Sequence, residues 1–417
     1  MMPATIPELA PPWRAGQTKA QERRIQRFTL VGHTITHLYM TLLWAVLPSM
    51  QAEFGLTVVQ ITFQVSLANQ FFGYGAGPAG WLSTRCGDRP LLCFFFLGAA
   101  AGGGLIAVAQ NLATLSAGMV LLGLATSIYH PVGISLLSKS ASRSGPAMGL
   151  NGLAGSLGVG LAPLFAAAIL GPGLSWRWAF ALPALPMLLL GIMLCLTDLG
   201  PAAAPSQATF APGSRLSPRM AVGFALLLLA FGCAGVNFHM SQVLLPSHFI
   251  QAGVADTLAR ANLWLGPALC IGGLSQFVSG LLAERIGHRS VYLVCYALAA
   301  PAIALVGQAS GGSLWPITTL AFLFLFAFQP LENTIIASLT PRAWRGTIFG
   351  LKFILVFGIG GYGSWLGGVV KARGEFSTVY WICAGFVAAG VTLAAAALSL
   401  LRPKNPSHAG VAPNAEK

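Results

Sequence analysis

Charge is what this chain has least of. Only 8% of its 417 residues are charged and ten are acidic, while 55% are hydrophobic. A soluble domain carries about a quarter charged residues, so a water-soluble globule is excluded and a polytopic membrane protein is implied. The seven cysteines (Cys86, Cys93, Cys195, Cys233, Cys270, Cys295, Cys383) show no Cys-x-x-Cys spacing, which argues for small packing residues rather than zinc ligands or disulfides. There is no His-Glu-x-x-His, no Walker-type phosphate loop and no sizeable extramembrane stretch, so neither a membrane enzyme nor an ATP-driven pump is expected. Residues 1–27 lack an apolar run followed by a cleavage site and are expected to form a cytoplasmic tail, not a signal peptide.

What remains is a series of apolar segments, each near the ~20 residues that cross a bilayer core. They fall at 28–50, 58–82, 91–109, 113–137, 147–170, 178–196, 220–249, 258–282, 290–309, 315–338, 347–371 and 378–401, giving twelve spans with both termini on one side. The net charge of +13 does not point to nucleic acid, because the cations sit in short loops. That side of the membrane holds most of the 23 lysines and arginines; the other has Arg177, Arg260, Lys371 and Arg373, and Lys352 lies inside a span. The positive-inside rule therefore places both termini in the cytoplasm.

The chain repeats itself. Gly80-Trp81-Leu82-Ser83-Thr84-Arg85-Cys86-Gly87-Asp88-Arg89 returns two hundred residues later as Gly280-Leu281-Leu282-Ala283-Glu284-Arg285-Ile286-Gly287-His288-Arg289. Leu47-Pro48-Ser49 returns as Leu245-Pro246-Ser247, Pro131 as Pro330, and Gly149-Leu150 as Gly350-Leu351. Such a period means two six-helix halves in the same orientation, 28–196 and 220–401, joined by a proline-rich linker at 197–219 and followed by a tail at 402–417.

This architecture and the Gly-x-Leu-x-[acid]-Arg-x-Gly-x-Arg segment resemble the major facilitator superfamily of secondary transporters. The resemblance implies an all-α membrane protein of two pseudo-symmetric bundles, with a cytoplasmic latch between the halves at Gly80, Arg85, Asp88, Arg89, Gly280, Glu284, Arg285 and Arg289. The second copy keeps the acid as Glu284; the first has Thr84, with Asp88 at a usually basic position.

Ionisable groups inside spans are costly and are default functional candidates. Here they are His33, His37, His130, His239, Glu332 and Lys352, with His248 nearer the outer end. In the resembled fold the first, fourth, seventh and tenth spans line a central cavity, and His37, His130, His239 and Glu332 fall on those four. Glu332 and Lys352 lie at similar depth on consecutive spans and are expected to pair, either as a structural bridge or as a substrate-attracting cation beside a proton-exchanging acid. His33 and His37 lie one turn apart. They are candidates for substrate or proton contact, for a satisfied structural role, or, with His130, for a metal; no Cys or nearby carboxylate supports the last, so no metal and no cofactor is expected. Neutral cavity candidates are Tyr39, Asn69, Gln70, Asn151, Asn237, Gln242, Gln329 and Asn333, each of which has interhelical hydrogen bonding as its alternative.

Gly149, Gly158 and Pro163 carry the spacing of the superfamily's fifth-helix antiporter motif, with alanines replacing three glycines. The arginine found four residues before a glycine in the fourth helix of many proton-driven exporters is Met119 here, ahead of Gly123. Ser127-Ile128-Tyr129-His130-Pro131, the basic loop after it and the small-residue helix beyond resemble the fosmidomycin-resistance branch, although Val132 stands where a carboxylate is common. The expectation is a monomeric inner-membrane secondary transporter moving a small molecule, with proton-coupled efflux of a polar or anionic compound first. Proton symport of an organic anion comes second. A non-transporting membrane sensor or assembly factor of the same fold is the alternative of another class.

Overall fold

The computed structural model describes residues 18–199, 216–341 and 344–401, so most of the linker and both tails assigned from sequence lie outside the described residues. Twelve helical rods follow one another: α1 (Lys19–Ala45, continued by Leu47–Phe54), α2 (Val58–Cys86), α3 (Asp88–Val108), α4 (Leu112–Ser140), α5 (Ser144–Leu170), α6 (Trp178–Leu196), α7 (Pro218–Val243, continued by Leu245–Gln251), α8 (Leu258–Ile286), α9 (His288–Val306), α10 (Gly311–Leu339), α11 (Thr347–Lys371) and α12 (Phe376–Leu400). Ten are long and apolar enough to cross a membrane, and the bent α1 makes eleven. The twelfth, α2, has the length at 29 residues but carries Gln60, Gln64, Asn69 and Gln70. Leu182, Leu185, Leu188, Leu189, Ile192 and Met193 of α6 stay exposed, as a lipid-facing helix requires.

The sequence repeats become specific backbone features. Leu-Pro-Ser marks a break near the end of the first helix of each half. α1 bends by 52° at Val46, and Val46 and Leu244 share nearly the same dihedrals (φ −107°, ψ 7° and φ −108°, ψ 7°). Proline near the start of the second piece costs no hydrogen bond there, because the first helical N–H groups have no partner within the helix. Gly87 and Gly287 each form the single-residue link between two helices at positive φ (+83° and +95°), a conformation that a Cβ disfavours. The two glycines therefore recur because the turn needs them.

Most packing follows the same repeat, with the close packing of α7 on α12 as the exception, since α1 and α6 scarcely meet. In the first half α1 packs on α5, α2 on α4, and α3 on both α4 and α6; in the second, α7 packs on α11, α8 on α10, and α9 on both α10 and α12. The halves meet through α2 with α11 and through α5 with α8, two contacts that exchange under the repeat. At the loop face where Lys19 and Leu400 lie, hereafter the basic face, a Cβ on Gly149, Gly152, Gly280 or Gly350 would meet no atom of the described residues within 4 Å. Deeper in, the halves touch. Ser66 donates to Gly361 O (2.9 Å), Asn69 to Ser364 Oγ (3.1 Å), and Asn262 to Ala45 O (2.9 Å) at the opposite end. Gly160 approaches Cys270, and Gly368 approaches Thr62. The molecule is closed away from the basic face and parted toward it.

Candidate functional site

A cavity of about 380 Å³ lies between the halves. Both helices that carry its central residues are interrupted at their prolines. α4 takes a π-helical turn at Tyr129–Gly133 around Pro131, and α10 breaks at Phe328 just before Gln329-Pro330. Proline withholds an N–H from the helical ladder, so the ladder reopens around it and re-aims the adjoining side chains. His130 and Glu332 are the groups so presented, and Glu332 sits in the first turn of the resumed helix, where the helix dipole favours a carboxylate.

The wall of the first half is built from imidazoles. His33 Nδ1 lies 2.6 Å from Asn151 O. A carbonyl only accepts, so Nδ1 carries the proton and Nε2 presents its lone pair, 3.1 Å from His37 Nε2. Tyr129 stacks on His33 at 4.8 Å between centroids, and His130 meets His33 and His37 edge-on at 5.2 and 5.4 Å. The Tyr129 hydroxyl lies 2.7 Å from Thr29 O and 2.5 Å from Asn151 Oδ1, and its one proton is shared between these two acceptors. Tyr129→Phe leaves the ring stack and removes these bonds. It is expected to lower stability by about 1–2 kcal/mol, read as a lower melting temperature in detergent.

The wall of the second half carries the charges. Lys352 Nζ lies 2.9 Å from Glu332 Oε2 and 2.8 Å from Asn333 Oδ1, with the Phe231 ring centroid at 4.9 Å. The side chains of Lys352 and Glu332 are only 9% and 5% exposed, so the pair is desolvated. Glu332 Oε1, both amide atoms of Asn237, His239 Nε2, Gln242 Nε2 and His130 Nε2 are buried without a hydrogen-bond partner. Buried polar atoms are almost always paired, so this set leaves unused hydrogen-bonding capacity around the cavity among the described residues. Phe72, Phe353 and Phe357 separate the two walls. His130 stacks on Phe353, and Phe357 lies 6.0 Å from His239.

Of the cavity candidates named from sequence, His33, His37, His130, Asn151, Asn237, His239, Gln329, Glu332, Asn333 and Lys352 all line this space, as do Asn69 and Gln242. Tyr39 does not: its fully buried ring stacks on Phe180, and its hydroxyl lies 3.3 Å from Phe180 O. Gln70 bonds to Ser66 within its own helix (2.8 Å). His248 lies parallel on Phe376 at 4.4 Å, away from the cavity. Ser156 and Gln276, which are not among the sequence candidates, line the cavity and bridge α5 to α8 at 3.2 Å, and the phenylalanines between the walls are likewise additions from the structure. For the phenylalanines there was no signal among so many aromatics; Gln276 was visible as a lone amide in an apolar run.

Of the proposed latch residues, Arg85, Asp88 and Arg89 find partners within their own half. Asp88 accepts from Ser83 and faces Lys139 at 3.8 Å. Arg89 caps the end of α6 through Leu194 O (3.3 Å) and Cys195 O (2.5 Å), and Arg85 lies over Trp81. A Cβ on Gly80 would lie 3.5 Å from Pro131 of the same half, while one on Gly280 would meet no described atom within 4 Å. Glu284 and Arg285 sit at the exposed end of α8, with Arg289 just past its turn into α9. In the fifth helix, Gly158 packs on Thr34 and His37 of α1, within one half. The α5 glycine that approaches the other half is Gly160, at Cys270. Pro163 lies inside α5.

Comparison with known proteins agrees with this architecture. The chain is 26% identical over 372 residues to the fosmidomycin resistance protein of Escherichia coli (strain K12), covering 85% of this chain and 88% of that one. It is 25% identical over 360 residues to an uncharacterized MFS-type transporter of Bacillus subtilis (strain 168), covering 83% and 87%. Among solved structures, a bacterial homologue of the human lysosomal transporter Spinster, inward-facing and occupied, superposes with a TM-score of 0.70 at 15% identity over 92% of this chain and 97% of that one. A D-xylose–proton symporter superposes with 0.74 at 15% identity over 90% and 96%. The Major Facilitator Superfamily model matches residues 29–364. With two exchanging six-helix halves around a shared cavity and that match across most of its length, the chain belongs to the Major Facilitator Superfamily of membrane transporters, and is not an enzyme.

Proposed function

We propose that the protein is a proton-coupled exporter of a small polar or anionic compound, working by alternating access as a monomer in the inner membrane with both termini cytoplasmic. The observation that carries this is the buried Glu332–Lys352 pair, which lines the cavity with one carboxylate oxygen unbonded. A guest that donates a hydrogen bond to the unbonded oxygen of ionised Glu332, with its anionic group drawn to Lys352, competes with a proton for that carboxylate. Protonation and occupancy of the site then alternate, and each favours the conformer that binds it more tightly. The similarity to a fosmidomycin resistance protein supports the outward direction, since resistance follows when a compound is removed from the cell. The parted basic face is then the cytoplasmic entrance.

The test is counterflow in proteoliposomes screened against phosphonates and carboxylates, with and without an imposed pH gradient. Wild-type flux should rise with an inward proton gradient. Glu332→Gln should retain exchange of internal for external substrate yet lose its response to the gradient. Flux in Glu332→Gln that still follows the gradient would remove the proton role from this residue.

A further inference from the structure

We propose that His33, His37 and His130 form a binding site for a divalent first-row transition-metal ion (Zn²⁺, Co²⁺ or Ni²⁺) on the cavity wall of the first half. One ring nitrogen from each lies within 4.8 Å of the others. Two further observations point the same way. The Nδ1 proton of His33 is fixed on the Asn151 carbonyl, which turns the Nε2 lone pair into the cluster; metal-binding histidines are held by this kind of outer hydrogen bond. His130 Nε2 is buried and has no hydrogen-bond partner.

Zinc–nitrogen bonds of about 2.0–2.1 Å in a tetrahedron hold their nitrogens roughly 3.4 Å apart. The His33–His37 separation of 3.1 Å is already close to this. Closing on a metal therefore asks for side-chain movement of about 1–1.5 Å. His37 Nε2, which donates toward His33 without metal, becomes a ligand by moving its proton to Nδ1, so three neutral imidazoles bind with no net proton release.

The donor set selects the ion. All three donors are imidazole nitrogens, and Glu332 is engaged by Lys352 on the other half, so the hard, oxygen-seeking Mg²⁺ and Ca²⁺ are disfavoured. Three protein ligands leave a fourth position for water or for an oxygen of a cavity guest. The metal site itself does not depend on proton coupling, and a flat response to a pH gradient leaves it standing.

The test uses full-length protein, freed of any polyhistidine tag and stripped with chelator, titrated with Co²⁺. Wild type is expected to develop the visible ligand-field bands of a low-coordinate cobalt site, displaced by Zn²⁺. His37→Gln and His130→Gln should each weaken binding at least tenfold, since even outer-shell changes cost about 10–100-fold, while His239→Gln on the other wall keeps it. Both variants retain the His33–Asn151 bond, and their melting in chelator reports folding. A measurement on wild type alone stands behind them: Zn²⁺ should protect His37 and His130 from diethyl pyrocarbonate, mapped by mass spectrometry. No cobalt signal in wild type, equal binding in both variants, or unprotected histidines would overturn the site.

Discussion

Lys352→Met is expected to be among the most destabilising single changes in the protein, and a second change, Glu332→Leu, is expected to undo most of that damage without restoring transport. Removing the ammonium strands a carboxylate that is 5% exposed, with Oε1 already unbonded and Oε2 relying on Lys352. Breaking a buried pair in this way costs about 3–5 kcal/mol, whereas replacing both partners with apolar groups of similar volume is often neutral or stabilising. Glu332→Gln should fall between, because Lys352 keeps Asn333 as a partner at 2.8 Å. Melting of wild type, Lys352→Met, Glu332→Leu and the double variant in detergent closes a double-mutant cycle, whose interaction energy isolates the pair.

Flux measured on the same four proteins separates the two roles that the pair can have. A brace that only holds α10 to α11 would recover flux together with stability in the double variant. A coupling pair recovers stability alone, because a leucine can neither exchange a proton nor accept a hydrogen bond from a substrate. We expect the second outcome.

This pair was legible in the sequence because two rare charges sat at similar depth on adjacent spans. The repeated Leu-Pro-Ser and the motif glycines were legible as repeats, but their meaning was not. Only the backbone shows that the first is a helix break and that Gly87 and Gly287 are left-handed links. His33 and His37 share a face by spacing alone, while the approach of His130 depends on how α1 crosses α4 and on the π-helical turn at Pro131. Tyr39 shows the opposite limit. It lies on the same helix as the two histidines, yet rotation about the helix axis turns it onto Phe180. Knowing that a helix borders a cavity does not give the phase of its faces when nearly all its residues are apolar.

The same limit hides which small residues matter for motion, and Gly73→Ala tests that directly. A Cβ at Gly73 lands 2.5 Å from the Gly358 Cα and the Phe357 carbonyl carbon. These are backbone atoms on α11, so no side chain can swing aside. Overpacking of this kind costs about 1–3 kcal/mol, and here the cost falls on the contact that closes the molecule away from the basic face. A conformer in which α2 and α11 separate at this level escapes the clash. The equilibrium should therefore move toward closure at the basic face, by tenfold for each ~1.4 kcal/mol of difference between the states. Spin labels at Leu82 and Leu282, exposed repeat-related positions near the basic ends of α2 and α8, on a background without the native cysteines, should report shorter distances in Gly73→Ala. Gly104→Ala, whose Cβ meets nothing within 4 Å, gives the effect of an added helical methyl alone and should leave the distances unchanged. Equal distances in all three proteins would mean that the α2–α11 contact is kept in both conformers and that the halves pivot on it.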